Sequence, residues 1–305
     1  METRGHREPL PEGGLALTVT GRPGPSPLCF ETADGGRRLL RQGERPLALG
    51  RLDGGGCCRD LALHRFDGYR SLMPPLRAAR QRADVNWTHE YARWLEDGSN
   101  GPLHNGRWSL TRHPHFTPGI WTTDFVQDWP NGTLELYCGG GRHGILPLRR
   151  LSPPDAPRVK AYRKHARDAP LAPVLLLWVT FLDGWLILDG HDRAVAALAE
   201  GTPPECVELR RVPDDEDWHR TAAELTEAHA QHVRDVADRP TRQLNTLERG
   251  FGDALASLPH DDAPRRDALV EVLQDEPEVL VVENDHASAV AAAPLWSLSS
   301  GGLSR

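Results

Sequence analysis

The chain has 305 residues, of which 39% are hydrophobic, and its formal net charge at pH 7 is -7. That size can bury a substantial core, and the acidic balance argues against a nucleic-acid coat protein, which needs surplus Lys and Arg. The five cysteines include no CxxC pair, so neither a disulfide framework nor a zinc ribbon is indicated. The longest apolar run, residues 172–182, is about half of what a bilayer span requires. We therefore expect a cytoplasmic protein without a membrane partner, and its Arg-, Ala- and Gly-rich composition indicates a bacterial source.

Residues 1–130 are predicted to form an N-terminal α+β region. Its first part alternates short apolar runs with Gly and Pro, which is typical of short strands and turns. From Tyr69 to Leu95 the apolar residues follow helical spacing and predict two helices. The stretch from Gly98 to Pro130 is rich in Trp and His and has no sustained period. We expect a long irregular connection there.

Residues 131–213 are the most regular part of the chain, and from about residue 144 they predict the order strand, helix, strand, strand, helix. The predicted helices are Arg158 to Arg167 and Ala194 to Glu200; the predicted strands are Leu134 to Cys138, Ile145 to Leu151, Val174 to Val179 and Trp185 to Leu188. Asp183-Gly184 between the last two strands is a hairpin signal. The unit of interest within this region, from about Gly144 to Leu209, is therefore βαββα.

Residues 214–285 are predicted to form a helical extension. The acidic run Asp214 to Asp217 opens a helix from Trp218 to Val236, with a first turn charged to suit the helix dipole. Two further helices are predicted at Leu244 to Leu258 and at Arg265 to Leu273. The Ala-, Ser- and Gly-rich end, residues 286–305, is predicted to be a flexible tail.

Two groups of histidines have the residue types of a metal site. They are His104, His113 and His115 in the irregular connection, and His229 and His232 on one face of the helical extension. Neither spacing matches an established ligand rule, so an ordinary loop and an ordinary polar helix face are the preferred interpretations.

The turn from Asp189 to Arg193 is the strongest candidate site. It joins a strand to a small-residue helix, so the unpaired backbone N–H groups of the helix start meet at one place and favour an anion. Gly190 lets the backbone approach a ligand, Arg193 offers a forked cation for phosphate, and His191 offers a second donor. Asp189 could cap the helix, hold a metal or orient His191. An ordinary Asp-Gly turn with exposed His and Arg is the alternative, and the residue types alone leave both open.

A resemblance to a known superfamily rests on three segments: Gly144 to Leu148, Pro173 to Leu175, and Ile187 to Arg193. Together they resemble the ParB/sulfiredoxin core. The motif is most similar to the Asp-Gly-His-His-Arg signature of the free serine kinases, whose turn holds the phosphates of a nucleotide. The second His of that signature is Asp192 here. Sulfiredoxins have a Cys where this chain has Gly190, so repair of a sulfinic acid is not expected.

This resemblance implies a set of site residues and ligands. It implies that the phosphate-binding residues are Gly190, His191, Asp192 and Arg193. It also implies that Asp189 is a Mg²⁺ ligand and that the catalytic residues are Asp155, Asp189 and His191. The serine kinases have an acidic pair after the first strand, whereas the corresponding stretch here has Asp155 alone. That carboxylate could accept a proton from an attacking hydroxyl, or be a surface Asp in a Pro-rich turn. The implied ligands are ATP or another nucleoside triphosphate, Mg²⁺ and a small-molecule acceptor.

Three functional hypotheses follow. The first is an enzyme, a phosphotransferase or a nucleotide hydrolase, and it predicts that Asp155 and Arg193 approach one pocket. The second is a nucleotide-switched DNA-binding protein, like the chromosome-partitioning members of the same superfamily, with a basic face on the C-terminal helices. The third is a non-catalytic interaction module, which the missing acidic pair favours. We rank the enzyme first and expect no nucleic-acid partner.

Overall fold

A computed structural model describes residues 4–23, 26–33, 37–53, 60–76, 85–97, 101–113, 121, 133–136, 144–179, 184–212, 215–235, 248, 251–252 and 255. These residues form two β-sheets and four α-helices, so the protein belongs to the mixed α+β class that the sequence predicts. No helix among them is long and apolar enough to cross a membrane.

The elements are numbered in chain order. The strands are β1 (Arg4–Pro9), β2 (Leu15–Thr20), β3 (Leu28–Ala33), β4 (Arg37–Gln42), β5 (Arg45–Asp53), β6 (Asp60–Arg65), β7 (Gly106–His113), β8 (Thr133–Leu136), β9 (Gly144–Pro147), β10 (Val174–Val179), β11 (Gly184–Asp189) and β12 (Cys206–Val212). The helices are α1 (Trp87–Asp97), α2 (Pro157–Asp168), α3 (His191–Ala199) and α4 (Asp215–Asp235).

The larger sheet has seven strands in the order β1-β2-β7-β12-β10-β11-β9. Strand β9 is parallel to β11, and β10 is parallel to β12, while the other neighbours are antiparallel. The sheet joins β1, β2 and β7 to the later strands, so it crosses the predicted boundary between residues 130 and 131. The second sheet has the order β3-β4-β5-β6-β8.

The core lies on both faces of the seven-stranded sheet. On one face, Val174 and Leu176 of β10 pack with residues of α2 and α3. On the other, Leu175 and Leu177 pack with residues of the five-stranded sheet and α1. Successive side chains of a strand point to opposite faces, so a strand covered on both sides is apolar throughout. This explains why β10 has the continuous apolar sequence from Val174 to Val179.

The predicted order of strand, helix, two strands and helix is confirmed by β9, α2, β10, β11 and α3. Strand β12 follows α3 and was not predicted. Its residues from Val207 to Arg210 alternate between apolar and polar, a short strand period that the sequence prediction overlooked.

Two predictions for the N-terminal region need correction. The connection predicted between Gly98 and Pro130 contains β7, which pairs with β2 and β12. Its buried Trp108 and Leu110 alternate with more exposed neighbours, a strand period hidden within a Gly- and His-rich composition. Of the two helices predicted between Tyr69 and Leu95, the described residues contain α1, while residues 69–76 are not helical.

The C-terminal predictions are tested in part. Helix α4 confirms the helix predicted from Trp218 to Val236. The predicted helix at Leu244 to Leu258 lies outside the described residues apart from four positions, and the one at Arg265 to Leu273 and the predicted tail lie wholly outside them.

Candidate functional site

The candidate turn joins β11 directly to α3. Gly190 stands between them with φ 96°, in the left-handed region. A Cβ at this position would lie 2.8 Å from Arg193 Nη2 and 3.1 Å from Val174 Cα, so a side chain does not fit. Gly190 is the N-cap of α3, and because it has no side chain it cannot cap the backbone N–H groups of the helix. The first backbone N–H groups of α3 therefore face the space in front of the helix, where an anion is favoured.

That space is a cleft of about 350 Å³. Its lining comes from the segment after β6, from the β9–α2 connection, from α2 and from the candidate turn. The lining residues are Tyr69, Ser71, Arg149, Ser152, Arg158, Tyr162, Asp189, Gly190, His191, Asp192 and Arg193. The volume lies at the lower end of the range for small-molecule sites.

Arg193 is buried at the base of this cleft and its guanidinium bonds to the protein. Nε donates to Ala172 O at 2.9 Å, and Nη2 lies 2.9 Å from Pro173 O and 3.1 Å from the Tyr91 hydroxyl. Nη2 also pairs with Asp189 Oδ2 at 2.7 Å. Burial alone would lower the pKa of Arg193, but the Asp189 carboxylate raises it overall. Arg193 thus lines the cleft as a charged residue that positions the turn.

Asp189 is the carboxylate at the end of β11. One of its oxygens pairs with Arg193, and the other lies 3.3 Å from Ser71 Oγ. Mg²⁺ is commonly held by one or two carboxylates together with substrate phosphates and water. Asp189 lines a cleft with room for a phosphate group, so it fits that pattern. Within the described residues no group of three or more His, Cys, Asp and Glu could hold a metal by itself, so phosphate oxygens would have to complete the coordination.

His191 is neutral in this environment. Its side chain is buried, and Nε2 accepts a hydrogen bond from the backbone N–H of Leu148 at 3.1 Å. The neutral ring therefore has its proton on Nδ1. Burial lowers the pKa of His191 well below its ordinary value, and the nearby guanidinium groups of Arg149, Arg65 and Arg193 lower it further. His191 can donate a hydrogen bond but supplies no positive charge, and its Nε2 is engaged as an acceptor.

Asp192 is buried in the first turn of α3 among polar side chains. Oδ1 accepts hydrogen bonds from Arg149 Nη2 at 2.8 Å and from Ser152 Oγ at 2.9 Å. Oδ2 lies 3.3 Å from Arg158 Nε. The carboxylate therefore binds two arginines, both of which line the cleft.

Asp155, the predicted base, lies elsewhere. It is exposed in the turn before α2, and it is not among the residues that line the cleft. In this turn the Ala156 N–H bonds to Pro153 O, and α2 then begins at Pro157. The structure therefore does not bring Asp155 and Arg193 to one pocket, and Asp189 and Asp192 are the carboxylates of the cleft among the described residues.

The chain matches no protein-family model, no curated protein and no solved structure. The resemblance of residues 144–209 to the ParB/sulfiredoxin superfamily thus stays a prediction from the motif. The chemistry of the cleft follows from its own side chains.

The cations most accessible in the cleft were not predicted. The Arg149 side chain is 34% exposed and that of Arg158 is 66% exposed, against 4% for Arg193. A sequence signal for Arg149 exists: it follows β9 as the candidate turn follows β11. Carboxyl ends of parallel strands meet at one edge of a sheet, so the pairing of β9 with β11 would have placed Arg149 at this turn.

Further arginines gather beside the cleft. Arg65 is buried, and its burial lowers its pKa to about 10, with Arg150 and Arg149 contributing by repulsion and Asp67 opposing them. Cations held together against their own repulsion are unfavourable unless an anion compensates them. Arg149 and Arg158 share the single carboxylate of Asp192, so this edge of the sheet is suited to an anionic ligand.

Proposed function

We propose that the protein is a nucleotide-binding enzyme, which places the phosphates of ATP or another nucleoside triphosphate in the cleft before α3. The observation that supports this most strongly is convergence: the uncapped start of α3 and the side chains of Arg149 and Arg158 border one cleft. The proposed reaction is phosphoryl transfer to a small-molecule acceptor or to water.

Charge supports an anionic ligand. Asp189 and Arg193 neutralise each other, whereas the single carboxylate of Asp192 faces both Arg149 and Arg158. The helix dipole adds about half a positive charge at the start of α3. Guanidinium groups match phosphate oxygens in geometry as well as charge.

Phosphoryl transfer does not require a covalent intermediate with the protein. In phosphoryl transfer the bond from the terminal phosphorus to its bridging oxygen breaks and a bond to the acceptor oxygen forms, so positioning and charge neutralisation dominate. Asp189 is the proposed Mg²⁺ ligand, and Mg²⁺ when bound neutralises phosphate charge. Because Asp155 lies outside the cleft, none of the described carboxylates is assigned as base, and the acceptor proton passes to water or to a phosphate oxygen of the product. Gly190 allows the close approach of the phosphate, and neutral His191 offers a hydrogen-bond donor.

A non-catalytic binding module is the second candidate. It is favoured by the exposure of Asp155 and by the engagement of both Asp192 oxygens with arginines. The DNA-binding alternative gains no support from α4, which contains six acidic residues and two arginines and so offers no basic face.

Turnover separates the two candidates. The protein is incubated with Mg²⁺ and each of ATP, CTP and GTP, with and without a panel of hydroxyl acceptors. Bound nucleotide and the nucleoside diphosphate formed are measured, because the diphosphate is a product of both transfer and hydrolysis. Arg158→Ala, at an exposed position of the cleft, is expected to reduce turnover; Glu200→Gln, away from the cleft, is expected to leave it unchanged. Binding without turnover would support the module, and no binding of any nucleotide would overturn the proposal.

A further inference from the structure

The carboxylate of Asp192 binds side chains and does not cap the backbone N–H groups of α3. An Asp in the first turn of a helix commonly serves the backbone N–H groups there. Here both oxygens instead face side chains from outside α3, namely Arg149, Ser152 and Arg158. The N–H groups of α3 thus remain available to the cleft. The carboxylate contacts one nitrogen of each guanidinium group.

This arrangement restrains two long side chains that otherwise have only weak contacts. Arg149 Nη1 lies 3.3 Å from Arg150 O. Arg158 lies over the Tyr162 ring with its guanidinium carbon 5.8 Å from the ring centre. With Asp192 bound to one edge of each guanidinium, the side chains lose rotamer freedom before a ligand arrives, which lowers the entropic cost of binding. Two guanidinium groups held side by side can share one phosphate group.

The surrounding charge specifies which phosphate group fits best. Among the described residues, three arginines (Arg149, Arg158 and Arg193) and two aspartates (Asp189 and Asp192) line the cleft, an excess of one positive charge, to which the start of α3 adds about half a charge. His191 is neutral. A terminal phosphate has two negative charges and three free oxygens at neutral pH, whereas a phosphodiester has one charge and two free oxygens.

We propose, on the basis of the nucleotide-binding function above, that Asp192 is a positioning residue that sets Arg149 and Arg158 as a clamp selective for a doubly charged terminal phosphate group. The ligand class is then a phosphomonoester or the free end of a polyphosphate. Phosphodiesters and carboxylates are discriminated against. Asp192 acts through the arginines and does not itself touch the phosphate.

The test uses methyl phosphate, a dianion above a pH of about 6, and dimethyl phosphate, a monoanion. Calorimetric titration of the full chain is expected to show methyl phosphate binding at least about tenfold more tightly. Asp192→Asn is expected to weaken methyl phosphate binding by about tenfold and to reduce the selectivity. Glu200→Gln is the matched control, because Glu200 is likewise held by two arginines, Arg163 and Arg167, but does not line the cleft.

A double-variant cycle distinguishes positioning from a general structural effect. If Asp192 acts through Arg149, Asp192→Asn adds little loss to an Arg149→Ala protein. Fully additive losses, or tighter methyl phosphate binding by Asp192→Asn, would overturn the inference, the latter because Asp192 would then compete with the ligand. Should Asp192→Asn not fold, Ser152→Ala removes one bond to the same oxygen; a smaller loss, absent beside Arg149→Ala, supports the inference, and an unchanged affinity contradicts it.

Failure of the inference differs from failure of the proposed function. A wild-type protein that binds ATP but does not distinguish the two methyl esters contradicts the clamp alone. A wild-type protein that binds neither ATP nor methyl phosphate contradicts both.

Discussion

Arg193 and Asp189 lie four residues apart, on either side of the turn at Gly190, and form an ion pair of 2.7 Å at the base of the cleft. The pair joins the end of β11 to α3, and the same guanidinium reaches the hydroxyl of Tyr91 in α1. Buried charges are tolerated when they are paired and hydrogen-bonded, but removal of one partner leaves the other uncompensated. The residue that the motif marks as a phosphate ligand is thus a central element of the fold.

Replacement of Arg193 should destabilise the protein far more than replacement of a cleft arginine near the surface. Arg193→Ala is expected to lower the free energy of unfolding by about 3–5 kcal/mol, because it leaves Asp189 unpaired in a largely buried position. Arg158→Ala should cost less than about 1 kcal/mol, since exposed ion pairs contribute little. Denaturant unfolding of both variants measures the difference. Equal losses would contradict the positioning role assigned to Arg193.

Gly190 and Gly201 provide a matched pair of left-handed glycines. An alanine at Gly201, with φ 73°, meets no atom within 4 Å, so only backbone strain of about 1 kcal/mol is expected. At Gly190 the added methyl also collides with Arg193 and with the backbone of Val174. Gly190→Ala should therefore cost about 2–4 kcal/mol in unfolding experiments. A cost no larger than that of Gly201→Ala would show that the turn can relax around a side chain.

His191 should make folding stability depend on pH. Its native pKa is lowered well below 6.5, mainly by burial, while the unfolded chain titrates near 6.5. Below that pH the unfolded state binds a proton that the native state does not, so stability falls by at most about 1.4 kcal/mol per pH unit. His191→Gln keeps a hydrogen-bond acceptor without titrating and should show a weaker decline. If the free energy of unfolding fell equally in the two proteins between pH 7.5 and 5, the result would argue against a buried neutral His.

The turn from Asp189 to Arg193 was predictable from the sequence in part. The strand, the glycine and the helix start were predictable, because Leu186 to Leu188 is apolar, Gly190 punctuates it and an Ala-rich helix follows. The partners of the turn were not. Arg193 bonds to Tyr91, which is 102 residues away, and Asp192 bonds to Arg149, which is 43 residues away. Such contacts are set by the packing of α1 and the β9–α2 connection, which local periodicity does not specify.

In the two sheets, too, part of the order of elements was predictable from local sequence, but the pairing of distant strands was not. The βαββα order came from local patterns, whereas the pairing of β7 with β12 and of β8 with β6 depends on contacts between distant segments. The exposed position of Asp155 also follows from non-local packing, since its turn is oriented by where α2 lies on the sheet.

Acid should weaken the bridge between α2 and α3. Glu200 accepts hydrogen bonds from Arg167 and Arg163, and these partners lower its pKa to about 2 from an ordinary value of 4.5. The native carboxylate stays ionised where the unfolded one protonates, so its contribution is complete above pH 4.5 and is lost as the pH falls toward 2. The difference in melting temperature between wild type and Glu200→Gln should shrink over that range. A difference that is independent of pH would contradict this assignment.

Ligand-dependent thermal stability tests most directly whether the cleft before α3 binds the phosphates of a nucleotide. Wild type, Arg149→Ala and Glu200→Gln are melted with Mg²⁺ and increasing ATP, CTP, GTP or ADP. A ligand that binds only the folded state raises the melting temperature as its concentration exceeds the dissociation constant. We predict that at least one nucleotide stabilises wild type and Glu200→Gln, and that the shift is largely lost in Arg149→Ala. No shift with any nucleotide, or an equal shift in all three proteins, would contradict the claim.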